Sequence, residues 1–160
     1  FLSGYMKLLQ WDVTGRCNLN CKHCRRGNEN KNSELSFGQG VKLLKEAKKL
    51  GIEIFNFSGG EPFLRDDIFH FIDMASNFFK EVVVTTNGTL ITEKLARRLS
   101  GYKNLRLSIS LDGYGKDHDR FRGTKGVFRE VVDGLKFLKK NNIRFSVKFT
   151  FQHLLLNRLN

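Results

Sequence analysis

Polar and apolar positions alternate strictly along several short stretches of the chain, and this two-residue period reads as half-buried β-strand. In Leu105–Leu111, Leu105, Leu107, Ile109 and Leu111 share one face, with Arg106, Ser108, Ser110 and Asp112 on the other. In Ile143–Thr150, Ile143, Phe145, Val147 and Phe149 oppose Arg144, Ser146, Lys148 and Thr150. In Leu8–Thr14, Leu9, Trp11 and Val13 oppose Gln10, Asp12 and Thr14. Glu53–Ser58 and Glu81–Thr86 are two further candidate strands, which makes five.

Between the strands the period changes to that of a helix. A first helix is expected over Ser36 to Leu50, with Ser36 and Gln39 as a capping box, Gly51 as the stop, and Leu43, Ala47 and Leu50 on one face. A second covers Asp66 to Phe79, with Phe71, Ile72, Ala75 and Phe79 as its stripe. A shorter one follows Thr92 through Leu95 and Leu99. The fourth spans Gly126 to Asn141, with Phe128, Val131, Leu135 and Leu138 facing inward. Regular strand–helix alternation implies crossover connections and a parallel sheet, so the fold class is α/β.

Parallel strands covered on both faces read as continuous apolar runs, whereas these alternate. A flat, doubly wound sheet would bury the polar faces under helices, at about 1–3 kcal/mol for each unpaired group. A curved, partial (β/α) TIM-like barrel keeps those faces in a wet, ligand-holding lumen. That is the architecture expected.

Composition changes this picture little. Of 160 residues, 40% are hydrophobic and 28% charged, enough for one domain with its own core. No apolar run is long enough to cross a bilayer, and nothing at the start has the form of a signal peptide. The net charge of +12 raises the question of a polyanionic partner. Its basic pairs, Lys48-Lys49, Arg97-Arg98 and Lys139-Lys140, fall late in expected helices, where cations complement the dipole and stay solvated. Neither a nucleic acid nor a membrane is therefore expected as a partner. An anionic substrate is compatible with the charge.

The chemistry is concentrated at strand ends. Cys17, Cys21 and Cys24 are the only cysteines, and all three lie on a short loop after the first strand. Three clustered thiols make a metal-site pattern and point to a reducing, cytoplasmic setting. Spaced by three and then two residues, they can meet three corners of an iron–sulfur cubane and leave one iron without a protein ligand. Zinc is the main rival, but a structural zinc needs four ligands, and His23 is adjacent to Cys24. Ser58-Gly59-Gly60-Glu61-Pro62 ends the second strand. Its two glycines allow close backbone approach to a ligand, and Glu61 is expected to offer a carboxylate at the same lip. Asn87-Gly88 closes the third strand, and Ser110 to Gly113 closes the fourth. The charged segment His118-Asp119-Arg120-Phe121-Arg122-Gly123 follows and is open to a plain reading as a solvated loop.

The cysteine spacing, and the order of motifs after it, resembles the radical S-adenosylmethionine (radical SAM) superfamily. The resemblance implies a 4Fe-4S cluster on Cys17, Cys21 and Cys24, with S-adenosyl-L-methionine chelating the open iron. One electron, from a reductant such as ferredoxin or flavodoxin, then releases a 5′-deoxyadenosyl radical that abstracts hydrogen from substrate. It places His23 near the adenine and gives Gly59, Gly60 and Glu61 to the methionine amino group. Asn87, Ser110 and Asp112 fall near the cofactor's polar groups or the substrate pocket, and Arg122 is available to its carboxylate. The His118–Gly123 segment is similar to that of peptide-modifying, SPASM-type members. A peptide substrate is therefore the leading expectation, with a small-molecule enzyme of cofactor or haem-precursor biosynthesis as the alternative. A non-catalytic iron–sulfur module is the rival of another class.

The family's barrel has six strand–helix units, and five strands are legible here. With Phe1 rather than Met at the start and an apolar Phe151–Leu156 stretch after the fifth strand, residues 1–160 read as an incomplete core, trimmed at both ends.

Overall fold

The computed structural model describes residues 7–21, 23–24 and 34–150. The Phe151–Leu156 stretch lies outside them. Five strands, β1 (Leu8–Thr14), β2 (Ile54–Gly59), β3 (Glu81–Thr86), β4 (Leu105–Ser110) and β5 (Arg144–Lys148), form one open, all-parallel sheet in the order β1-β2-β3-β4-β5. The helices are α1 (Phe37–Lys49), α2 (Ile68–Phe78), α3 (Glu93–Leu99), α4 (Lys116–Arg122) and α5 (Val127–Lys140), with a 3₁₀ turn at Pro62–Leu64. A sheet whose strands add one after another, always by crossovers of the same hand, collects its helices on one face. That is the winding of a partial barrel, and the expected fold class is what the chain adopts.

Burial follows the alternation. Val13, Phe55, Phe57, Val82, Val84, Leu107 and Ile109 are fully buried with Leu44, Phe71, Ile72, Leu99, Val131 and Leu138 from the helices. The opposite face stays polar and bonds sideways along the sheet. Asn56 Nδ2 donates to Gln10 Oε1 at 3.0 Å, and Thr85 Oγ1 donates to Asn56 Oδ1 at 3.0 Å. Arg106 donates to Glu81 and to Ser146 Oγ, each at 2.9 Å. Polar side chains that would be costly beneath helices thus satisfy one another on the open face.

Helix starts follow their caps. Ser36 and Gln39 make the expected capping box on α1, and Thr92 Oγ1 accepts from Leu95 N at 3.2 Å to start α3. Asp67 stands at the α2 N-cap but makes no side-chain cap bond; it pairs instead with buried Arg65 at 2.6 Å. That guanidinium also donates to the Val13 and Leu35 carbonyls at 2.7 and 2.8 Å, clamping β1 to the start of α1.

Four expectations are corrected. The α1 stripe is Gly40, Leu44 and Ala47; Leu50 lies past the last turn and is exposed. The α5 stripe is Val127, Val131, Gly134 and Leu138, one step round from the expected face, while Phe128 packs against Tyr114 and His118. The His118–Gly123 segment is helical, not a loop: Gly123 at φ 73° caps α4, which buries His118 and Arg122. Finally, the apolar side of β5 is not covered. Phe145 and Val147 sit beside Leu107 and Ile109 in register, yet are 36% and 47% exposed. They lie on the edge strand of the sheet, with no described strand beyond it.

Candidate cofactor site

The C-terminal ends of β1 to β4 open onto one pocket of about 560 Å³ including its mouth. Cys17, Cys21, Cys24 and His23 line it from the loop after β1. Gly59 and Gly60 line it from β2, Asn87 from β3, and Ser110 and Arg122 from β4 and α4. Strand ends of a barrel are where catalytic groups collect, because the loops there project side chains over a shared opening.

Two glycines shape one wall. Gly59 has φ 130°, and a Cβ on it would lie 2.5 Å from the Thr14 carbonyl oxygen. A Cβ on Gly60 would lie 2.2 Å from the Arg16 carbonyl oxygen. The main chain packs here as only glycine allows, and it is pinned by Gly60 N to Thr14 O at 2.7 Å and Glu61 N to Arg16 O at 2.8 Å.

Glu61 departs from its expected place at the lip. Its carboxylate is fully buried beneath it, accepting from Thr86 Oγ1 at 2.8 Å, Asn87 N at 2.9 Å and Phe63 N at 3.3 Å. Burial pushes its pKa up to about 7, against the opposing pull of those donors. Glu61 therefore joins the ends of β2 and β3 and leaves the pocket wall to Gly59 and Gly60.

Asp112 also lies behind the wall. One carboxylate oxygen accepts from Thr150 N at 2.8 Å and the other from Arg122, in a pair whose side chains are 0% and 10% exposed. The Asp112 N–H donates to His118 Nδ1 at 3.0 Å. That bond assigns the imidazole proton to Nε2, which is buried without a partner among the described residues. Burial, and next the Arg122 charge, hold His118 below the usual histidine range.

One side-chain amide and one guanidinium reach the cysteine loop. Asn87 Nδ2 donates to Asn18 Oδ1 at 2.9 Å and lies 3.9 Å from Cys17 Sγ. Asn18 in turn donates to Thr89 Oγ1 at 2.8 Å. Arg122 Nη1 lies 3.8 Å from Cys21 Sγ. Burial raises the Cys17 and Cys21 thiols; the Leu19 N–H and Asn87 oppose it at Cys17, and Arg122 opposes it at Cys21. His23 stacks on Phe121, with ring centroids 4.0 Å apart and planes 6° from parallel. Asn18 and Thr89 escaped sequence reasoning. An Asn inside a cysteine loop and a Thr after a turn glycine have no pattern of their own.

No set of three or more His, Cys, Asp or Glu among the described residues is arranged to hold a single metal ion. The donor set instead suits a multi-iron cluster: three thiols at one mouth and, among the described residues, no fourth cysteine, with the neighbouring His23 ring stacked on Phe121. Arg122 lines the same mouth with its guanidinium beside Cys21, a positive charge that suits an anionic group there. The two glycines let the end of β2 pack directly on the backbone that leads into the cysteine loop, which brings that wall and the thiols to one mouth. The residues fit the cluster and S-adenosylmethionine.

The sequence model of the Radical SAM superfamily matches residues 11–160. The chain belongs to the radical SAM superfamily. Its relatives include an AdoMet-dependent heme synthase of Methanosarcina barkeri, 35% identical over 147 residues, covering 90% of this chain and 42% of that protein. A mycofactocin maturase, MftC, of Mycobacterium tuberculosis is 35% identical over 132 residues, covering 81% and 34%. Among solved structures, native anSMEcpe with bound AdoMet superposes with a TM-score of 0.75 at 25% identity, over 89% of this chain and 43% of that one. This radical SAM chain thus spans less than half the length of the curated relatives it matches. No helix among its described residues is long and apolar enough to cross a membrane.

Proposed function

We propose that this chain is the cluster- and cofactor-binding core, still incomplete as a barrel, of an enzyme that reductively cleaves S-adenosylmethionine to start radical chemistry on a substrate. The observation that carries the reading is the meeting of Cys17, Cys21 and Cys24 with the Gly59–Gly60 wall in one pocket. A bound 4Fe-4S cluster would supply the electron that breaks a carbon–sulfur bond of the sulfonium.

The protein's part is to bind, orient and exclude water. Cys17, Cys21 and Cys24 would hold three irons. The backbone of Gly59 and Gly60 receives the amino-acid end of the cofactor, and Ser110 and Arg122 face its polar groups from the opposite wall. His23, held flat by Phe121, offers an aromatic surface to the adenine. Asn87 keeps the cysteine loop against β3. The polar face of the sheet, wet and hydrogen-bonded side to side, is where substrate would lie.

Two substrate classes have support. The similarity of the His118–Gly123 segment to peptide-modifying members, and the likeness to a maturase, favour a peptide. The match to an AdoMet-dependent heme synthase over the larger share of the chain favours a carboxylated tetrapyrrole or similar small molecule. An electron donor of the ferredoxin or flavodoxin class completes the scheme.

The test is anaerobic reconstitution with iron and sulfide, then incubation with S-adenosylmethionine and dithionite. 5′-Deoxyadenosine should form, and Cys21→Ala should abolish both iron uptake and product. Full cluster content and cleavage in Cys21→Ala would overturn the assignment. A cluster-loaded wild-type chain that makes no 5′-deoxyadenosine would be a binding module. Stimulation by a carboxylated tetrapyrrole, but not by a peptide, would select between substrate classes.

A further inference from the structure

Arg122 and Asp112 were both expected to touch the cofactor, but their geometry separates them. Asp112 has no free oxygen face: Thr150 N–H occupies one oxygen and Arg122 the other. Its side chain is completely buried. Arg122, by contrast, lines the pocket, and its Nη1 reaches to 3.8 Å from Cys21 Sγ. A guanidinium is a planar fork, so a carboxylate gripping one nitrogen sets the direction of the others. The three residues belong to the loop after β1, the end of β4 and the last turn of α4. Asp112 is further fixed by its own N–H to His118 on α4 and by the backbone that follows β5.

We infer that Asp112 and Arg122 work as one unit that sets the reduction potential of the cluster through Cys21, Arg122 as the donor to sulfur and Asp112 as the positioning residue. The inference rests on the cluster assignment proposed above. On reduction, one electron from an external one-electron donor is taken up and the cluster with its thiolates becomes more negative by one charge. No proton need move. A guanidinium and its N–H pointed at Cys21 sulfur stabilise that added charge, and hydrogen bonds to cluster sulfurs are an established lever on potential. The pair is well hidden from solvent, so its field is weakly screened.

The experiment is a redox titration of the anaerobically reconstituted chain, without S-adenosylmethionine, followed by electron paramagnetic resonance of the reduced cluster. Iron content of the wild type, about four per chain for a 4Fe-4S site, tests the cluster assignment separately. Arg122→Gln should make reduction at least tenfold less favourable, about 59 mV more negative for a one-electron couple. Asp112→Asn should shift the potential in the same direction even though it removes a negative charge whose loss alone would favour reduction, and in the Arg122→Gln background the same change should no longer lower the potential. Arg122→Lys, which keeps the charge but loses the fork, should fall between and serves as the readout if Arg122→Gln takes up no iron. Potentials equal to wild type in the loaded variants, or shifts that simply add in the double variant, would overturn the inference. Because no S-adenosylmethionine is present, a role of Arg122 confined to the cofactor carboxylate would leave all the potentials unchanged.

Discussion

Asn87 at the end of β3 donates through Nδ2 to Asn18 Oδ1 at 2.9 Å, tying the cysteine loop to a strand 69 residues further along the chain. Its own Oδ1 is occupied by Thr89 N and Thr89 Oγ1 at 2.9 and 2.7 Å, which orients the amide. The described residues around Cys17 lie in no helix or strand, so such side-chain ties hold them over the pocket. Asn87→Ala should cost about 1–3 kcal/mol where the bonds are lost. Its clearest effect should be faster loss of iron to a chelator, with the far-ultraviolet circular dichroism unchanged. Iron release at the wild-type rate would show that the tie is dispensable.

Gly60→Ala forces a Cβ to within 2.2 Å of a backbone carbonyl, and Gly59→Ala adds a positive φ to a 2.5 Å clash. Backbone atoms cannot move aside as a side-chain tip can. Each variant should lose about 1–3 kcal/mol in urea unfolding. Each should also bind S-adenosylmethionine more weakly by isothermal titration, since the wall itself is displaced. Unimpaired binding in both would remove the wall from the cofactor site.

The pH behaviour of Glu61 has a defined sign. Its carboxyl is raised from 4.5 to about 7 in the folded chain, so the folded state holds the proton more tightly. Its contribution to stability is fully present below about 4.5 and declines as pH rises through about 7. Glu61→Gln removes that titration. The stability of wild type relative to the variant should therefore fall by about 3 kcal/mol between those limits and then level off. The variant should also carry a pH-independent cost of about 1–3 kcal/mol, because its amide NH2 meets the N–H or O–H donors that Glu61 accepts. Chemical denaturation of both proteins from pH 4.5 to 8 measures the difference; a flat curve would contradict the titration.

Arg65 is 4% exposed, lies over the Trp11 and Phe71 rings, and serves Asp67 and two carbonyls at once. Arg65→Ala leaves Asp67 and the Val13 and Leu35 carbonyls without their donor. A cost of about 3–5 kcal/mol is expected, read as a lower urea midpoint. Arg65→Lys should recover only part of it, because an ammonium cannot span the same three partners.

Much of this molecule could be read from residue order alone. The alternation in Leu105–Leu111 placed Leu107 and Ile109 in the core and Ser110 toward the pocket, because a strand's period of two is a local property. The Ser36–Gln39 box and the Thr92 cap started their helices for the same reason: each spans a single turn. Cysteine spacing and two glycines at a strand end carried the chemistry.

What the tertiary structure decided was where the charged groups of those motifs point. Glu61 and Asp112 sit in motifs that look ligand-facing, yet both turn inward, because neighbouring strand ends offer them donors from Thr86, Asn87, Thr150 and Arg122. A buried carboxylate goes where its hydrogen bonds are, and those partners lie 10 to 38 residues away. The uncovered apolar side of β5 is likewise a matter of position, since the alternation that buries Leu107 buries Phe145 only if an element packs there. The sequence by itself determined the strands, the caps and the three-cysteine chemistry, all set by short-range periodicity. Only the packed sheet decided which polar groups face the pocket and which hold it in shape, because strand register brings distant residues within bonding distance.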